Sequence, residues 1–296
     1  MSLPNFMFIG AAKSATTTFF DMLKSHDQIF TPQFKEPHFF NIDENYLKGI
    51  DWYQKTYFNT VDSEKVILEF TPTYFYFTKC AERIYKSLGS EVKFVVILRN
   101  PVDRAYSHYN HSLRDGHEDL SFDQALKLEN SRLEKFKYEN KSLDMMRCSY
   151  VSQGLYYKMF SAYLKYFDFS NFLVINFNSE VVRNLDTTVK KMSDFFEIDL
   201  SNINLDIHSN KSGKAKSKLL QELTLKNNFF RKILKFIIPQ KNRQIIRNRI
   251  KNFNKDVYKY IPLSNEEKNL YYKMYFSEDV LKLEELLGEK MNWNNI

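Results

Sequence analysis

The sequence predicts an α/β fold: a P-loop-like parallel sheet flanked by helices, with a helical C-terminal third. Three observations predict it. "VKFVVILRNP" (Val92–Pro101) is a continuous β-branched run of the kind found in parallel strands buried on both faces. Shorter apolar runs alternate with segments of helical spacing, as βαβ units require. Between the first apolar run and the first helical segment lies a stretch of small and hydroxyl residues, Gly10-Ala11-Ala12-Lys13-Ser14-Ala15-Thr16-Thr17-Thr18. Such a stretch lets a backbone approach an anion.

Taken in order, "NFMFIG" (Asn5–Gly10) reads as a short buried strand. A helix follows from about Thr16 to Ser25, with Phe19, Phe20 and Leu23 turned inward. "KVILEF" (Lys65–Phe70) is a second strand, stopped by Thr71-Pro72. The Val92–Pro101 run is the third, and Asn100-Pro101 ends it. Asp103 to Arg114 has helical spacing. "NFLVINF" (Asn171–Phe177) is a fourth strand, with a helix near Asp186–Phe196. Beyond Ser217 no strand is predicted. Ser264 with Glu267 reads as a capping box, and Ser277 as the cap of a last helix that Gly288 stops. With no internal repeat and no boundary signal, residues 1–296 read as a single domain, with the helical, basic segment at about 217–260 packed on it.

The totals narrow the functional classes. The chain has 296 residues and a formal charge of +7. Eleven Lys/Arg and one acid, Asp256, fall between Lys226 and Lys259, so the basicity is local. That stretch suits an acidic polymer, peripheral contact with a membrane surface, or an anionic ligand, and equally a solvated helical face. No apolar run reaches the ~18 residues of a membrane span, and no signal peptide is recognised. Cys80 and Cys148, far apart, form neither a disulfide framework nor a zinc pattern. Together these point to a cytoplasmic protein.

The Gly10–Thr18 loop carries the functional signal. A helix N-terminus offers unpaired N–H groups and about half a positive charge. Lys13 adds a mobile cation, and Thr16 and Thr17 add hydroxyl donors. The loop is not a Walker A motif, G-x-x-x-x-G-K-S/T, because Ala15 and Thr16 stand where that motif has Gly and Lys.

The order of residues closely resembles the 5′-phosphosulfate loop, G-x-x-K-S/T/G-G-T-S/T, of sulfotransferases that use 3′-phosphoadenosine 5′-phosphosulfate (PAPS). Ala15 departs from the usual glycine. A second element resembles the same family: Arg99-Asn100-Pro101-Val102-Asp103-Arg104-Ala105-Tyr106-Ser107-His108-Tyr109 matches its R-N/D/E-P-x-x-R-x-x-S-x-Y/W run. By that resemblance Arg99 and Ser107 hold the donor's 3′-phosphate, a task that suits a guanidinium fork. Arg104 reads as a surface ion pair. A third element, "KEPHFFN" (Lys35–Asn41) followed by "YLKGIDWYQKTYF" (Tyr46–Phe58), resembles the heparan-sulfate, or carbohydrate, type and its bacterial relatives.

The resemblance implies Glu36 as the catalytic base and Lys13 as the cation on the leaving phosphate, with His38 a rival base. It implies a donor site of Gly10, Ala12, Lys13, Ser14, Ala15, Thr16, Thr17, Arg99, Ser107 and Tyr156. Lys214 and Lys216 stand where the family closes a basic loop over the donor. PAPS is then a donor co-substrate and no metal is expected. The acceptor is a hydroxyl or amine of a carbohydrate or other small molecule, and no nucleic-acid partner is expected. At Glu69-Phe70-Thr71-Pro72 the family often has lysine where Phe70 stands, and the cysteine pair of its secretory members is missing. Tyr74, Tyr76, Tyr106, Tyr156 and Tyr157 suit either an acceptor groove or the core. Two other readings stay open: a P-loop-type nucleotide or small-molecule kinase, and a non-catalytic nucleic-acid-binding protein using the basic stretch.

Overall fold

Strand β1 (Phe6–Gly10) is buried at every residue, because both faces of the sheet it joins are covered. The computed structural model describes residues 3–139, 141–205, 214–215, 255–256 and 261–293. The chain divides into two units. The first holds residues 1–105, 151–209 and 265–296; the second holds 106–150 and 210–264.

In the first unit, β1 leads into α1 (Thr16–Leu23), β2 (Ile29–Phe30), α2 (Asp43–Tyr46), α3 (Ile50–Tyr57), β3 (Val66–Phe70), α4 (Lys79–Leu88) and β4 (Lys93–Leu98). Helix α5 (Pro101–Arg114) begins in this unit and ends in the second. The second unit continues with α6 (Phe122–Lys127), α7 (Glu129–Tyr138) and α8 (Ser142–Cys148). The first then resumes with α9 (Tyr156–Tyr163), β5 (Phe172–Asn176) and α10 (Leu185–Phe196). In the second, β6 (Lys214–Ala215) pairs antiparallel with β7 (Lys255–Asp256). Helices α11 (Asn265–Tyr275) and α12 (Ser277–Leu287) complete the first unit.

The five strands of the first unit lie in the order β2-β3-β1-β4-β5, every pair parallel. Strand alternation divides the core. Phe6 and Phe8 of β1, Val95 and Ile97 of β4, and Phe70 of β3 share a face with Phe19 of α1 and Met192 and Phe196 of α10. Phe8 and Phe70 stack at 4.3 Å. On the opposite face Phe94 packs edge-on to Tyr163 at 5.6 Å and Phe167 at 4.8 Å. Burying each such ring stabilises the fold by about 1.5–3 kcal/mol. Gly10 is required by a close approach: a Cβ there would lie 2.9 Å from the Cβ of Phe75.

Asn100 is the hinge between β4 and α5. Its side-chain oxygen accepts from the N–H groups of Val102 (2.9 Å) and Asp103 (3.3 Å), a helix N-cap. Its amide donates to the carbonyl of Trp293 at 3.0 Å. Asp279 of α12 likewise caps α9 from outside, accepting from the N–H of Tyr157 (3.0 Å) and Lys158 (3.2 Å).

Four expectations change. Two-residue β2 was not predicted, and β7 is a short strand beyond Ser217. Ser277 is the first residue of α12, not its cap, and its hydroxyl donates back to the carbonyl of Lys273 at 3.0 Å. Arg104 is no surface ion pair: it is completely buried. Residues 216–254 and 257–260, with most of the predicted helical, basic segment, lie outside the described residues.

Candidate active site

The loop between β1 and α1 is shaped by backbone conformations that side chains disfavour. Lys13 has φ 73° and Ala15 has φ 60°, both left-handed. For a residue with a Cβ this costs ~1–2 kcal/mol, which explains why glycine suits position 15. Ala15 is the N-cap of α1; its carbonyl accepts from Thr18 N–H (2.9 Å) and Phe19 N–H (3.2 Å), and it has no side-chain cap to offer. The Ser14 hydroxyl is wholly buried without a hydrogen-bond partner among the described residues. A buried unsatisfied hydroxyl at a helix N-terminus fits an anion absent from the structure. Gly10 and Thr16 are buried, Ala12 and Lys13 half-buried, and Thr17 exposed.

Arg99, at the end of β4, donates from Nη1 to the carbonyl of Lys13 at 2.9 Å. The two anion elements therefore meet at one bond. Arg99 is fixed from two sides. Its guanidinium lies 5.0 Å from the Phe177 ring centroid, and its own carbonyl accepts from the Tyr156 hydroxyl at 2.9 Å. Tyr156 is buried and packs against Trp293, so it sits beneath Arg99 as a support. Tyr74 is also in the core, where its hydroxyl accepts from the N–H of Phe39 (2.8 Å) and Phe40 (3.3 Å); Tyr76, Tyr106 and Tyr157 are half-buried.

That pair of bonds holds the third element, the loop after Lys35. Glu36 (φ 64°) and His38 (φ 52°) are both left-handed. Four of the six described non-glycine residues with positive φ are thus predicted site residues, and such strain clusters at functional sites. The Glu36 N–H donates to the carbonyl of Phe70 at 2.9 Å, tying the loop to the end of β3. Its carboxylate lies 3.6 Å from His38 Nε2 and 3.5 Å from Lys35 Nζ. Burial alone raises the Glu36 pKa, but the bond to His38 and the charge of Lys35 outweigh it and hold it down to about 2. The carboxylate is therefore ionised at neutral pH. His38 Nδ1 faces the Asn41 side chain at 3.2–3.3 Å, and its carbonyl accepts from Asn45 Nδ2 at 3.2 Å.

Lys35 is the residue that sequence reasoning missed. Its ammonium donates to Thr17 Oγ1 (2.8 Å) and Thr16 Oγ1 (3.2 Å) while facing Glu36. The signal was its place directly before Glu36; its reach across to α1 is tertiary. Glu69, read only as the start of a departing motif, is fully buried. Burial pushes its pKa up to about 7, although Thr71 and Tyr53 both donate to it, the latter at 2.6 Å. Ser107 lies on α5 and Lys214 on β6, both in the second unit. Lys216 lies outside the described residues. Among the described residues no three His, Cys, Asp or Glu side chains group as a metal site.

The site thus combines a parallel sheet, a left-handed turn at the start of α1 and a carboxylate bridged to that helix by Lys35. Residues 3–234 match the model of the sulfotransferase domain, and the chain belongs to that family. It is 31% identical over 180 residues to heparan sulfate glucosamine 3-O-sulfotransferase 5 of Mus musculus, covering 59% of this chain and 48% of that protein. It is 36% identical over 116 residues to the membrane-associated sulfotransferase kil1 of Dictyostelium discoideum, covering 38% and 24%. The match thus spans about half the length of the first of these relatives and less of the second. The fold matches a sulfotransferase from Alicyclobacillus acidocaldarius with a TM-score of 0.69 at 23% identity, over 99% of both chains.

These relatives overturn the cytoplasmic expectation, since one is named as membrane-associated and others for heparan sulfate. Cys80 and Cys148 are both free and buried, a state that any compartment allows. Among the described residues no helix is long and apolar enough to cross a membrane.

Proposed function

We propose that this chain, acting as one domain, moves a sulfuryl group from PAPS to a hydroxyl or amine of an acceptor, with a carbohydrate as the favoured class. The observation that carries this reading is the bridge between the anion loop and the carboxylate: one ammonium reaches Thr17 Oγ1 at 2.8 Å and Glu36 Oε1 at 3.5 Å. This closeness of the loop and the carboxylate supports a reading in which donor and base lie side by side, as in-line transfer needs.

In this reading the main-chain N–H groups at the start of α1 and the Ser14 hydroxyl bind the 5′-phosphate end. Lys13 stabilises the charge that builds on the leaving phosphate oxygen, a role worth ~3 kcal/mol. Arg99, anchored by Tyr156, takes the 3′-phosphate; Ser107, Lys214 and Lys216 belong to the same proposal on sequence grounds alone. Glu36 accepts the acceptor's proton. With its pKa held near 2, it does so once the acceptor oxygen has begun to bond to sulfur and become acidic. The glycan names of the relatives support a carbohydrate acceptor. The kinase reading lacks the Walker lysine after the last glycine.

Titration calorimetry with adenosine 3′,5′-bisphosphate against ATP-Mg²⁺ tests the donor. Micromolar binding of the first, lost in Lys13→Ala, is expected; equal or tighter binding of ATP-Mg²⁺ overturns the reading. Glu36→Gln keeps nucleotide binding and loses turnover.

A further inference from the structure

The bridging lysine has no assigned work in that mechanism, yet its position is costly. Lys35 is only 14% exposed at its side chain, and burying an ammonium is unfavourable without compensation. It also sits at the wrong end of a helix. Thr16 and Thr17 open α1, whose N-terminus carries the positive pole of the helix dipole, where cations are disfavoured. Its one close carboxylate is Glu36, with Asp21 of α1 a weaker electrostatic neighbour; Glu36 in turn faces His38. Phe70, whose carbonyl holds Glu36, brings no charge: its ring is packed on Phe8 at 4.3 Å and Phe20 at 5.3 Å. The positive pole, the loop carrying Lys13 and a half-buried ammonium together exceed what one carboxylate neutralises. An ammonium has three N–H donors, enough to hold an incoming oxyanion in place of the threonines.

We infer that Lys35 is a catalytic residue of the proposed transfer, donating to the sulfuryl oxygens while the group passes from the donor phosphate to the acceptor. This rests on the sulfotransferase reading above. The acceptor O–H proton goes to Glu36, the acceptor oxygen bonds to sulfur, and the bond from sulfur to the phosphate oxygen breaks. Its electron pair stays on the phosphate, leaving adenosine 3′,5′-bisphosphate. Before donor binds, the ammonium is held by Thr16, Thr17 and Glu36; during transfer it exchanges those partners for sulfuryl oxygens, which leave with the acceptor and which adenosine 3′,5′-bisphosphate lacks.

The test uses the full chain with Lys35→Met and Lys35→Arg. Consumption of PAPS is followed with a heparan sulfate oligosaccharide and, separately, with water as the only acceptor. Binding of adenosine 3′,5′-bisphosphate is measured by calorimetry. Lys35→Met is expected to lower kcat ~10²–10³-fold while binding of adenosine 3′,5′-bisphosphate changes less than about fivefold, because the sulfuryl group Lys35 touches is absent from the bisphosphate. Lys35→Arg restores at least about tenfold of the loss, since a guanidinium keeps charge and donors. The acid limb of the kcat/KM profile moves to higher pH in Lys35→Met, because Glu36 loses a neighbouring cation. Product binding lost in step with turnover means a structural role and overturns the inference, as does turnover within threefold of the original protein. If the unaltered protein neither binds the bisphosphate nor consumes PAPS, the sulfotransferase reading itself fails.

Discussion

Arg99 Nη1 donates to the carbonyl of Lys13 at 2.9 Å, across 86 residues of sequence. This bond joins the end of β4 to the turn after β1 and sets where both cationic side chains begin. Arg99→Ala is expected to weaken adenosine 3′,5′-bisphosphate binding at least tenfold, as charge-assisted hydrogen bonds are worth ~1.5–3 kcal/mol each. Arg99→Lys recovers only part, because a point charge cannot serve the loop carbonyl and a phosphate as a fork does. Calorimetry on both variants decides; equal affinity for Lys and Arg would remove the fork from the argument.

Ala15 holds a left-handed conformation at φ 60°. Ala15→Gly relieves that strain, offset by a freer unfolded chain and a lost methyl contact, so stability should stay the same or rise by up to about 1 kcal/mol. Ala15→Val, β-branched, should cost at least ~2 kcal/mol. Urea unfolding of the three proteins gives the order Gly, Ala, Val; Val equal to Ala contradicts the assigned backbone.

Glu69 and Glu36 pull stability in opposite directions with pH. The folded pKa of Glu69 is raised, from 4.5 to about 7, so its favourable contribution is complete below about 4.5 and is lost as pH rises toward 7. For Glu36, lowered from 4.5 to about 2, the contribution is present above 4.5 and fades as pH falls toward 2. Glu69→Gln keeps an acceptor for Tyr53 without the charge. It should match the original protein near pH 5 and exceed it at pH 8, in thermal melts at both values. A variant less stable at pH 8 shows that the fold favours the ionised Glu69 and that its pKa is not raised.

Gly10→Ala places a Cβ 2.9 Å from Phe75, against the body of a buried ring. A loss of ~1–3 kcal/mol is expected, with weaker bisphosphate binding because Gly10 leads directly into the anion turn. Unfolding and binding measured together check this; a fully stable variant with intact binding refutes it.

The sheet was legible where its chemistry is repetitive. Val92–Leu98 announces β4 because burial on both faces leaves a continuous apolar run. Ile29–Phe30 does not announce β2, since two residues carry no period. Glu36, Lys13 and Arg99 stand out by residue type and order. The burial of Arg104 and Glu69 depends on what folds over them, and Lys35 is defined by hydroxyls 18 and 19 positions away. The positive φ at Glu36 and His38 escaped because neither residue type demands it.

The bond from Asn100 to the carbonyl of Trp293 spans 193 positions. At a ribosomal pace of ~5–20 residues per second, about 10–40 s separate the emergence of its two ends. The nascent polypeptide therefore waits, with the turn beside Arg99 lacking its last clasp, until Trp293 has been made.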